Sequence, residues 1–300
     1  MGKRKRKQQP VLVLHRKSAN RPEVKAAVKA VRSRGIDLKV RIPWNKKDKP
    51  RVVRELIAAG HQRLIAGGGD GTLNAIADAL VRHAEHDECP TMGILPLGTA
   101  NDLAHGLGLP CEDLDSCLYL AATGDAKPMD LGIMNGRHFI NVASGGFGAQ
   151  VTATTPQDVK RHLGGAAYTL NGLIKIWEMK PYRGSLHLPG QAPIEGSMVL
   201  MAVGNNRLAG GGFEVAPAAD PADGLLDLMI LTDSVITEPG PTLAELKDPL
   251  NPANTRLRYV QAPAFRIEAE TPVHINLDGE PVVSKELNFS VLEHALNVVY

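Results

Sequence analysis

The residues best suited to chemistry form a glycine-rich run, Gly67-Gly68-Gly69-Asp70-Gly71-Thr72, between an apolar segment and an amphipathic one. Glycines let backbone N–H groups approach an anion closely, and a helix that begins in the run adds its partial positive charge. Asp70 is suited to act beside a phosphate-bound metal ion or to accept hydrogen bonds that fix the loop. Thr72 can cap the helix or donate to a phosphate oxygen. The run lacks the Lys-Ser/Thr of a Walker P-loop and does not match GxGxxG, so it predicts a phosphate-binding turn of another kind. A tight turn with a helix cap is the alternative.

A second polar segment, GILPLGTANDL at residues 93–103, also follows an apolar strand. A strand, a turn and an Asn or Asp helix cap would explain it by itself. Because the carboxyl ends of neighbouring parallel strands meet at one sheet edge, Thr99, Asn101 and Asp102 are expected beside the first loop. The two loops together predict a cleft.

Alternating strands and helices position these loops within about the first 135 residues. Strands are predicted at Val11–Leu14, 36–42, Arg63–Ala66 and Met92–Leu97, and helices at 24–35, Val52–Ala59, 73–80 and Leu114–Ala122. Repeated strand–helix units indicate a parallel sheet covered by helices, with the ligand site at the carboxyl ends of the strands.

The remainder of the chain changes character. After a helix predicted at Val159–Trp177, the pattern gives short strands at Ser197–Val203, Leu225–Leu231, Arg256–Ala262, Phe265–Ala269, Val273–Asn276 and Leu287–Val291. Glycine and proline punctuate them, which is typical of an antiparallel sandwich or partial barrel. The proline-rich segment Pro239–Thr255 is expected to be a flexible excursion.

Composition excludes several classes of protein. The chain has 300 residues, which favours two domains. With 43% hydrophobic and 22% charged residues, it has enough apolar side chains to form hydrophobic cores. A net charge of +2 and 4% aromatic residues argue against a nucleic-acid partner. No apolar run approaches the roughly 18–20 residues of a membrane-spanning helix. The odd number of cysteines, Cys89, Cys111 and Cys117, without zinc or CxxC spacing, fits a reducing cytosol.

The first ten residues carry a basic cluster at positions 3–7 that is not followed by the apolar stretch of an export signal. We expect a disordered tail at residues 1–10 that aids solubility. The alternative is a weak electrostatic tether to anionic lipid.

Six motifs in order carry a resemblance to a known family: GGGDGTLN, GILPLGTANDLA, FINVASGGFGA, VGNNRLAGGG, DPADGLLDL and INLDGEP. Over about residues 11–291 this series resembles the diacylglycerol kinase catalytic family, and most closely its YegS-type bacterial lipid kinases. GGDGT is shared with NAD kinases, whereas LPLGTAND with the late DGEP is more specific. The resemblance implies an α/β domain of phosphofructokinase/NAD-kinase type at 11–135 and a β-sandwich domain at 136–292, with an interdomain cleft. For residues 293–300, packing back on the first domain is one option.

The resemblance also implies an activity: ATP-dependent phosphorylation of a lipid hydroxyl, such as that of diacylglycerol or a phosphatidylglycerol-like lipid. Carried over by position, the catalytic residues are Glu280 and Asp70. The nucleotide-binding residues are Gly69, Asp70, Gly71, Thr72, Leu73, Asn74, Ala75 and Thr99. The metal ligands are Asp220, Asp223 and Leu225, some through backbone carbonyls, and the cofactors are ATP and Mg²⁺, with Ca²⁺ as an option at the second-domain site.

A lipid hydroxyl must lose its proton during phosphorylation, so a carboxylate such as Glu280 would serve as general base. The alternative for Glu280 is an exposed acid beside a β-hairpin turn, because Asp-Gly is a strong hairpin signal. For Asp220 and Asp223 the alternative is a solvated loop.

Three positions depart from the family pattern, all on the nucleotide side. His15-Arg16-Lys17-Ser18 replaces an Asn-rich turn, Pro43 replaces a nucleotide-contacting threonine, and Ala75 replaces an acid. Arg16 and Lys17 are candidates to compensate by approaching phosphate. The departures make the nucleotide affinity the open question.

Three functions therefore compete: a lipid kinase, a soluble kinase similar to NAD kinases, and a nucleotide-binding regulator without turnover. The complete motif series and Glu280 favour the lipid kinase. That reading implies a membrane lipid as substrate, transient contact with the membrane surface, no nucleic-acid or protein partner, and a cytoplasmic location peripheral to the inner membrane.

Overall fold

The computed structural model describes residues 9–45, 48–84, 89–146 and 180–300. They form two compact units, one comprising the chain up to Leu131 with Glu293–Tyr300, the other Gly132–Leu292. The helix predicted at Val159–Trp177 and the first eight residues of the predicted basic tail lie outside the described residues. Within the described residues, no helix is both long enough and apolar enough to cross a membrane.

The first unit is a parallel sheet with helices against it, as predicted. Its strands are β1 (Val11–Leu14), β2 (Lys39–Arg41), β3 (Arg63–Gly68) and β4 (Thr91–Pro96). Its helices are α1 (Pro22–Ser33), α2 (Asp48–Ala58), α3 (Asp70–His83), α4 (Asp102–Gly106) and α5 (Leu114–Thr123). The strands pair in the order β4-β3-β1-β2, and Val298 near the end of the chain pairs with Met92 of β4. Every residue of β1 is buried, because a central parallel strand is covered on both faces.

Close packing in this unit depends on residue size at the helix–sheet contact. A Cβ on Gly93 of β4 would lie 2.7 Å from the carbonyl oxygen of Ala121 in α5, so the helix rests directly on the strand. The Arg63 guanidinium donates to the carbonyls of Ala121 and Gly124 and thereby satisfies the carboxyl end of α5. Helix α5 is thus packed directly on the sheet whose end carries the polar loops.

The second unit is mainly antiparallel β-structure. Its strands are β5 (Ala126–Met134), which begins in the first unit, β6 (Arg137–Phe139), β7 (Val142–Gly146), β8 (Tyr182–His187), β9 (Ile194–Met198), β10 (Leu200–Gly204), β11 (Leu208–Ala209), β12 (Phe213–Glu214), β13 (Leu226–Leu231), β14 (Leu257–Ala262), β15 (Ala264–Leu277) and β16 (Glu280–Val299), whose end returns to the first unit. Two short helices are α6 (Ser234–Thr237) and α7 (Pro239–Glu245). The strand order within this unit is β14-β13-β10-β7-β15-β16. Phe139, Phe265 and Phe289 pack ring to ring in its core.

Several predicted boundaries in the second unit were wrong. The strands predicted at Phe265–Ala269 and Val273–Asn276 are one strand, β15, whose pairing with β16 shifts register between Glu268 and Val273. The strand predicted at Ser197–Val203 is two strands, β9 and β10. The excursion predicted at Pro239–Thr255 contains α7, which begins at a proline because proline suits the first turn of a helix.

Candidate active site

The glycine-rich loop is a single residue long: β3 ends at Gly68 and α3 begins at Asp70. Gly69 occupies the position before the helix in extended backbone and, as a glycine, offers no side chain to cap the amino end of α3. Of the two options predicted for Thr72, capping the helix does not occur, whereas donation to a phosphate oxygen stays a prediction. Thr72 is the third helical residue, and its backbone N–H donates to the carbonyl of Gly69. A helix end without a side-chain cap presents its N–H groups to water or to an anion.

The two polar loops meet in backbone contact. A Cβ on Gly98 would lie 2.6 Å from the Cα of Gly69, and the N–H of Leu97 donates to the carbonyl of Gly68 at 2.9 Å. Because β3 and β4 are adjacent and parallel, with Gly68 opposite Pro96, both loops leave the same sheet edge. The glycines at 69 and 98 are what allow this approach.

Asn101 shapes the second loop. Its backbone is left-handed (φ 53°), its side-chain oxygen accepts from the N–H of Gly98 at 2.7 Å, and its amide nitrogen donates to the Gly98 carbonyl at 3.3 Å. Asparagine tolerates this conformation better than most residues. The turn leaves Thr99 exposed at the sheet edge, beside the first loop.

Asp70 braces the first loop against the second. Its carboxylate oxygen Oδ1 accepts from the backbone N–H of Leu103 in α4 at 3.2 Å. Burial raises the pKa of Asp70, the Leu103 N–H opposes the shift, and the carboxylate of Asp102 adds to it. Asp70 thus performs the fixing role predicted as one of its two options. Its role toward a metal ion stays a prediction.

A buried lysine that the sequence reading missed contacts the first loop. Lys49 of α2 is 4% exposed, and its Nζ donates to the hydroxyl of Thr72 at 3.2 Å. Its position stands in a charged stretch typical of a solvated surface. The available signal was its spacing from Val52, Val53 and Leu56, because these form one buried stripe on α2.

The other residues predicted to bind the nucleotide differ in their exposure to solvent. Gly71 is exposed, Asn74 and Ala75 are half-buried, and Leu73 is fully buried in the core of α3. Gly71 therefore lies where a ligand can reach it, whereas the side chain of Leu73 serves packing. The nucleotide roles of all these positions stay predictions.

A cavity of about 480 Å³ opens on the second loop within the first unit. Its lining includes Leu97, Gly98, Asn101 and the half-buried thiol of Cys111. Burial raises the pKa of Cys111, which favours the protonated thiol. Arg21, the residue before α1, also lines this cavity and donates to the carbonyl of Leu97 at 3.2 Å.

In the second unit, Glu280 follows a tight turn between β15 and β16. The two turn residues, Asp278 and Gly279, have φ values of 46° and 94°, the left-handed pair of a two-residue hairpin. Glu280 is exposed, as the alternative reading of DGEP predicted. An exposed carboxylate beside a rigid turn is compatible with both readings, so the catalytic role of Glu280 stays a prediction.

Asp278, not singled out from the sequence, holds that turn in place. Its buried carboxylate accepts from the backbone N–H groups of Ile140 at 2.7 Å, Asn141 at 3.2 Å and Val142 at 2.9 Å. Its own N–H donates back to the Val142 carbonyl. The tip that carries Glu280 is therefore fixed by four hydrogen bonds through one residue.

The predicted metal ligands lie in a loop of local turns. Asp220 accepts from the N–H of Ala222 at 3.0 Å, and Asp223 accepts from the N–H of Leu225 at 2.9 Å. No group of three or more His, Cys, Asp or Glu side chains that could hold a metal ion occurs among the described residues. The Mg²⁺ or Ca²⁺ site at Asp220, Asp223 and Leu225 stays a prediction.

Just beyond this loop lies a buried acid, Asp227, that the sequence reading did not single out. The Tyr259 hydroxyl donates to it at 2.5 Å and accepts from the N–H of Ala218. Burial raises the pKa of Asp227 and also that of Tyr259. The pair joins the loop to β13 and β14.

Comparisons with known proteins agree with this architecture. The model of the diacylglycerol kinase catalytic domain matches residues 10–134, and that of the YegS C-terminal NAD kinase beta sandwich-like domain matches residues 141–300. A "probable lipid kinase YegS-like" of Pseudomonas aeruginosa is 42% identical over 297 residues, covering 97% of this chain and 94% of the relative. One of Chromohalobacter salexigens with the same name is 42% identical over 286 residues, covering 95% and 91%.

A solved structure shows the same fold. The crystal structure of a putative diacylglycerol kinase from Bacillus anthracis superposes with a TM-score of 0.79 at 22% identity, covering 98% of this chain and 97% of the other. The predicted α/β domain followed by a β-sandwich domain is confirmed, and so is the family resemblance. The chain belongs to the YegS-like branch of the diacylglycerol kinase family, a family of phosphotransferases.

Proposed function

We propose that this protein is an ATP-dependent lipid kinase that transfers the γ-phosphate of ATP to a lipid hydroxyl, as in diacylglycerol or a phosphatidylglycerol-like lipid. The observation that carries the proposal is the contact of Gly69 with Gly98 in front of the uncapped amino end of α3. Catalysis of phosphoryl transfer mainly requires that the reacting groups are positioned and that the charge of the phosphates is neutralised. Backbone N–H groups at this helix end supply both for a bound triphosphate.

In the proposed reaction each part of the site has one task. The loop at Gly69–Thr72 holds the phosphates, and Asp70 keeps the loop braced against α4. The carboxylate of Asp70 would be a hard oxygen donor for Mg²⁺ bound with the nucleotide, and that ion would neutralise charge that develops on the phosphates.

Glu280 is the proposed proton acceptor. The lipid oxygen forms a bond to the γ-phosphorus, the bond from that phosphorus to the bridging oxygen of ADP breaks, and the hydroxyl proton passes to the Glu280 carboxylate. Asp278 supports this role because it fixes the turn from which Glu280 projects. A positioned general base contributes about 10²–10⁴-fold to a rate.

Transfer of labelled γ-phosphate from Mg²⁺ and ATP onto lipids in mixed micelles tests the proposal. Wild-type protein should give a labelled lipid; Glu280→Gln and Asp70→Asn should lose at least about a hundredfold in rate. Glu270→Gln and Asp78→Asn are matched controls: Glu270 is exposed on β15, and Asp78 forms a surface ion pair with Arg82 on α3. Controls as inactive as the site variants, or no labelled lipid from wild type, would refute the proposal.

The same assay separates the competing functions. A labelled product from NAD in place of lipid would indicate a soluble kinase similar to NAD kinases. ATP binding in calorimetry without transfer to any acceptor would indicate a regulator, for which the departures at Pro43 and Ala75 are the motivation. A lipid substrate also requires transient contact with a membrane surface, which we propose is the cytoplasmic face of the inner membrane. Sedimentation with anionic vesicles tests this contact.

A further inference from the structure

Two large apolar side chains are exposed in the loop that follows β2. Trp44 is 72% exposed and Ile42 is 50% exposed. Among the described residues of the first unit, one other large apolar side chain is exposed, that of Tyr119 at 38%. Leaving a tryptophan in water forgoes the free energy that burial of its large apolar area would supply. The loop is therefore a candidate for contact with a partner.

A cation holds the exposed indole. The Arg16 guanidinium lies 4.8 Å from the centroid of the Trp44 ring, which is within the range of a cation–π contact. Arg16 lies in the turn after β1, and β1 is the neighbour of β2 in the sheet. The contact thus joins two loops that leave adjacent strands. It also limits the conformational freedom that the ring would lose on binding a partner.

The excess charge beside this indole is positive. Arg16 and Lys17 are exposed, and neither belongs to an ion pair among the described residues. The two acids of the neighbouring helix α2 both contact Arg51, and one of them also contacts Arg41 of β2. These acids balance the arginines of α2 and β2, so the turn after β1 carries charge that an anionic partner would complement.

The exposed loop lies at the same sheet edge as the glycine-rich loop. Strands β2 and β3 both pair in parallel with β1, with Arg41 opposite Val13 and Gly67 opposite Leu14. Because neighbouring strands lie about 5 Å apart, the end of β2 is about 10 Å along this edge from the end of β3. A partner bound at Trp44 would therefore lie next to the loop that is proposed to hold the phosphates.

We propose that the loops after β1 and β2 form a docking surface for an anionic membrane. This surface, called the Trp44 surface, consists of Arg16, Lys17, Ile42 and Trp44. Its apolar side chains would enter the headgroup region of the bilayer, where tryptophan is favoured, while its cations contact anionic headgroups. The inference rests on the proposed function, because a lipid kinase must reach a substrate that lies in a membrane, and it names the surface that makes this contact.

Flotation of the full chain with vesicles, in the absence of ATP, tests this inference. Wild type should bind vesicles of phosphatidylglycerol and phosphatidylcholine in equal parts. It should bind vesicles of phosphatidylcholine alone much less, and its affinity for anionic vesicles should fall as salt rises. Trp44→Gln should lower the partition coefficient by about tenfold or more, and Arg16→Gln by about fivefold. Equal binding of wild type and Trp44→Gln would overturn the inference.

Tyr119→Gln is the matched control. Tyr119 of α5 is also an exposed aromatic residue beside an arginine, since the Arg34 guanidinium lies 4.7 Å from its ring centroid. Arg34 lies at the end of α1, and this helix of 12 residues places it about 18 Å from the turn after β1. The control should bind vesicles like wild type. A loss as large as that of Trp44→Gln would show that exposed aromatic residues in general, and not this surface, govern binding.

Fluorescence quenching measures whether the indole enters the bilayer. Vesicles with brominated acyl chains should quench the fluorescence of wild type, and that of Trp44→Phe much less, because Trp44 is one of only two tryptophans in the chain. Phenylalanine keeps an aromatic ring at this position, so the measurement decides the question even if Trp44→Gln does not fold. Equal quenching in both proteins would overturn the inference.

The kinase assay separates this inference from the proposed function. Trp44→Gln should raise the KM for long-chain diacylglycerol in anionic vesicles far more than the KM for a water-soluble short-chain diacylglycerol. If wild type binds anionic vesicles through Trp44 but labels no lipid, the proposed function falls and the Trp44 surface stands. If wild type labels lipid and Trp44→Gln matches it on vesicles, only the surface falls. If Trp44→Gln loses affinity for ATP and binds vesicles like wild type, the ring serves the nucleotide and the inference is overturned.

Discussion

The two units build their polar sites from opposite kinds of group. In the first unit two groups of donors lie at the glycine-rich loop, namely the N–H groups of the helix end behind Gly69 and the buried ammonium of Lys49. In the second unit the buried acids are acceptors, since the carboxylates of Asp278 and Asp227 bind N–H and O–H groups of their own unit. The first unit leaves backbone N–H groups at its glycine-rich loop without a side-chain cap from Gly69, whereas the second uses the buried Asp278 to hold the turn that carries the exposed Glu280.

The difference implies two kinds of sensitivity to mutation. The loop of the first unit depends on the absence of side chains, so an added methyl group should disrupt it. The hairpin of the second unit depends on a charge that is shared among backbone donors, so neutralising that charge should disrupt it.

Asp278→Ala should give the largest effect on stability. Three buried backbone N–H groups lose their acceptor, and alanine disfavours the left-handed backbone at this position (φ 46°). We expect a loss of about 3–5 kcal/mol in the free energy of unfolding. Urea unfolding measures it. Glu280→Ala, two residues away and exposed, should stay within about 0.5 kcal/mol of wild type. Similar losses in the two variants would show that the turn, rather than the buried carboxylate, matters.

Gly98→Ala tests the other side of the comparison. Its Cβ would lie 2.6 Å from the Cα of Gly69, a backbone atom that cannot turn aside, so the two loops must separate. We expect a loss of about 2–3 kcal/mol and at least tenfold weaker ATP binding by calorimetry. Gly196→Ala on β9 is the control, because nothing lies within 4 Å of the added Cβ. Unchanged ATP affinity in Gly98→Ala would separate the nucleotide from this loop contact.

Prediction of the fold from the sequence was most accurate where the structure follows from a local pattern of residues. The apolar run Val11–Leu14 became β1 with the predicted bounds, because a buried parallel strand is uniformly apolar. Asp278 and Lys49 were missed since charged residues are normally exposed, and only tertiary contacts show what compensates their burial.

The candidate active site was predictable only in part for the same reason. The glycine run located the loop, but its contact with Gly98 depends on how two distant strands pair. The proline-rich segment after residue 239 misled for another reason. Proline at the first turn of α7 starts a helix, and Glu245 closes the segment by accepting from the N–H groups of Arg256 and Leu257.

Glu245 should make the stability of the second unit depend on pH, and the direction of its pKa shift gives the sign. Burial alone would raise the pKa of Glu245, but the N–H groups of Leu257 and Arg256, the Arg256 guanidinium and the N–H of Thr255 together lower it to about 2. A folded pKa below the unfolded value means that the stabilisation is present above about pH 4.5 and is lost as pH falls toward 2.

Glu245→Gln should therefore remove about 1 kcal/mol of stability at pH 7 and much less near pH 2, once solvent screening is allowed for. Thermal unfolding from pH 7 to pH 2 measures the difference between variant and wild type. Glu195→Gln, an exposed acid on β9, should give no pH-dependent difference. A constant gap between Glu245→Gln and wild type at all pH values would mean that the hydrogen bonds, and not the charge, stabilise the segment.

Substitution of Arg21 should give the smallest effect on stability and on ATP binding, because backbone contacts hold the second loop of the first unit. Its guanidinium donates to the carbonyl of Leu97 at 3.2 Å and to the carboxylate of Glu23 at 2.6 Å, from a position open to solvent. Arg21→Ala should cost about 0.5 kcal/mol in unfolding free energy and raise the KM for ATP less than threefold, because exposed ion pairs contribute little. Arg21→Lys should not restore the lost affinity, since a lysine cannot hold two acceptors in the fixed geometry of a guanidinium.

Lys25→Ala is the control for Arg21→Ala, because Lys25 is exposed on α1, the helix that Arg21 precedes. A large KM effect of Arg21→Ala would show that this side chain, and not the glycine contact alone, sets the position of the second loop.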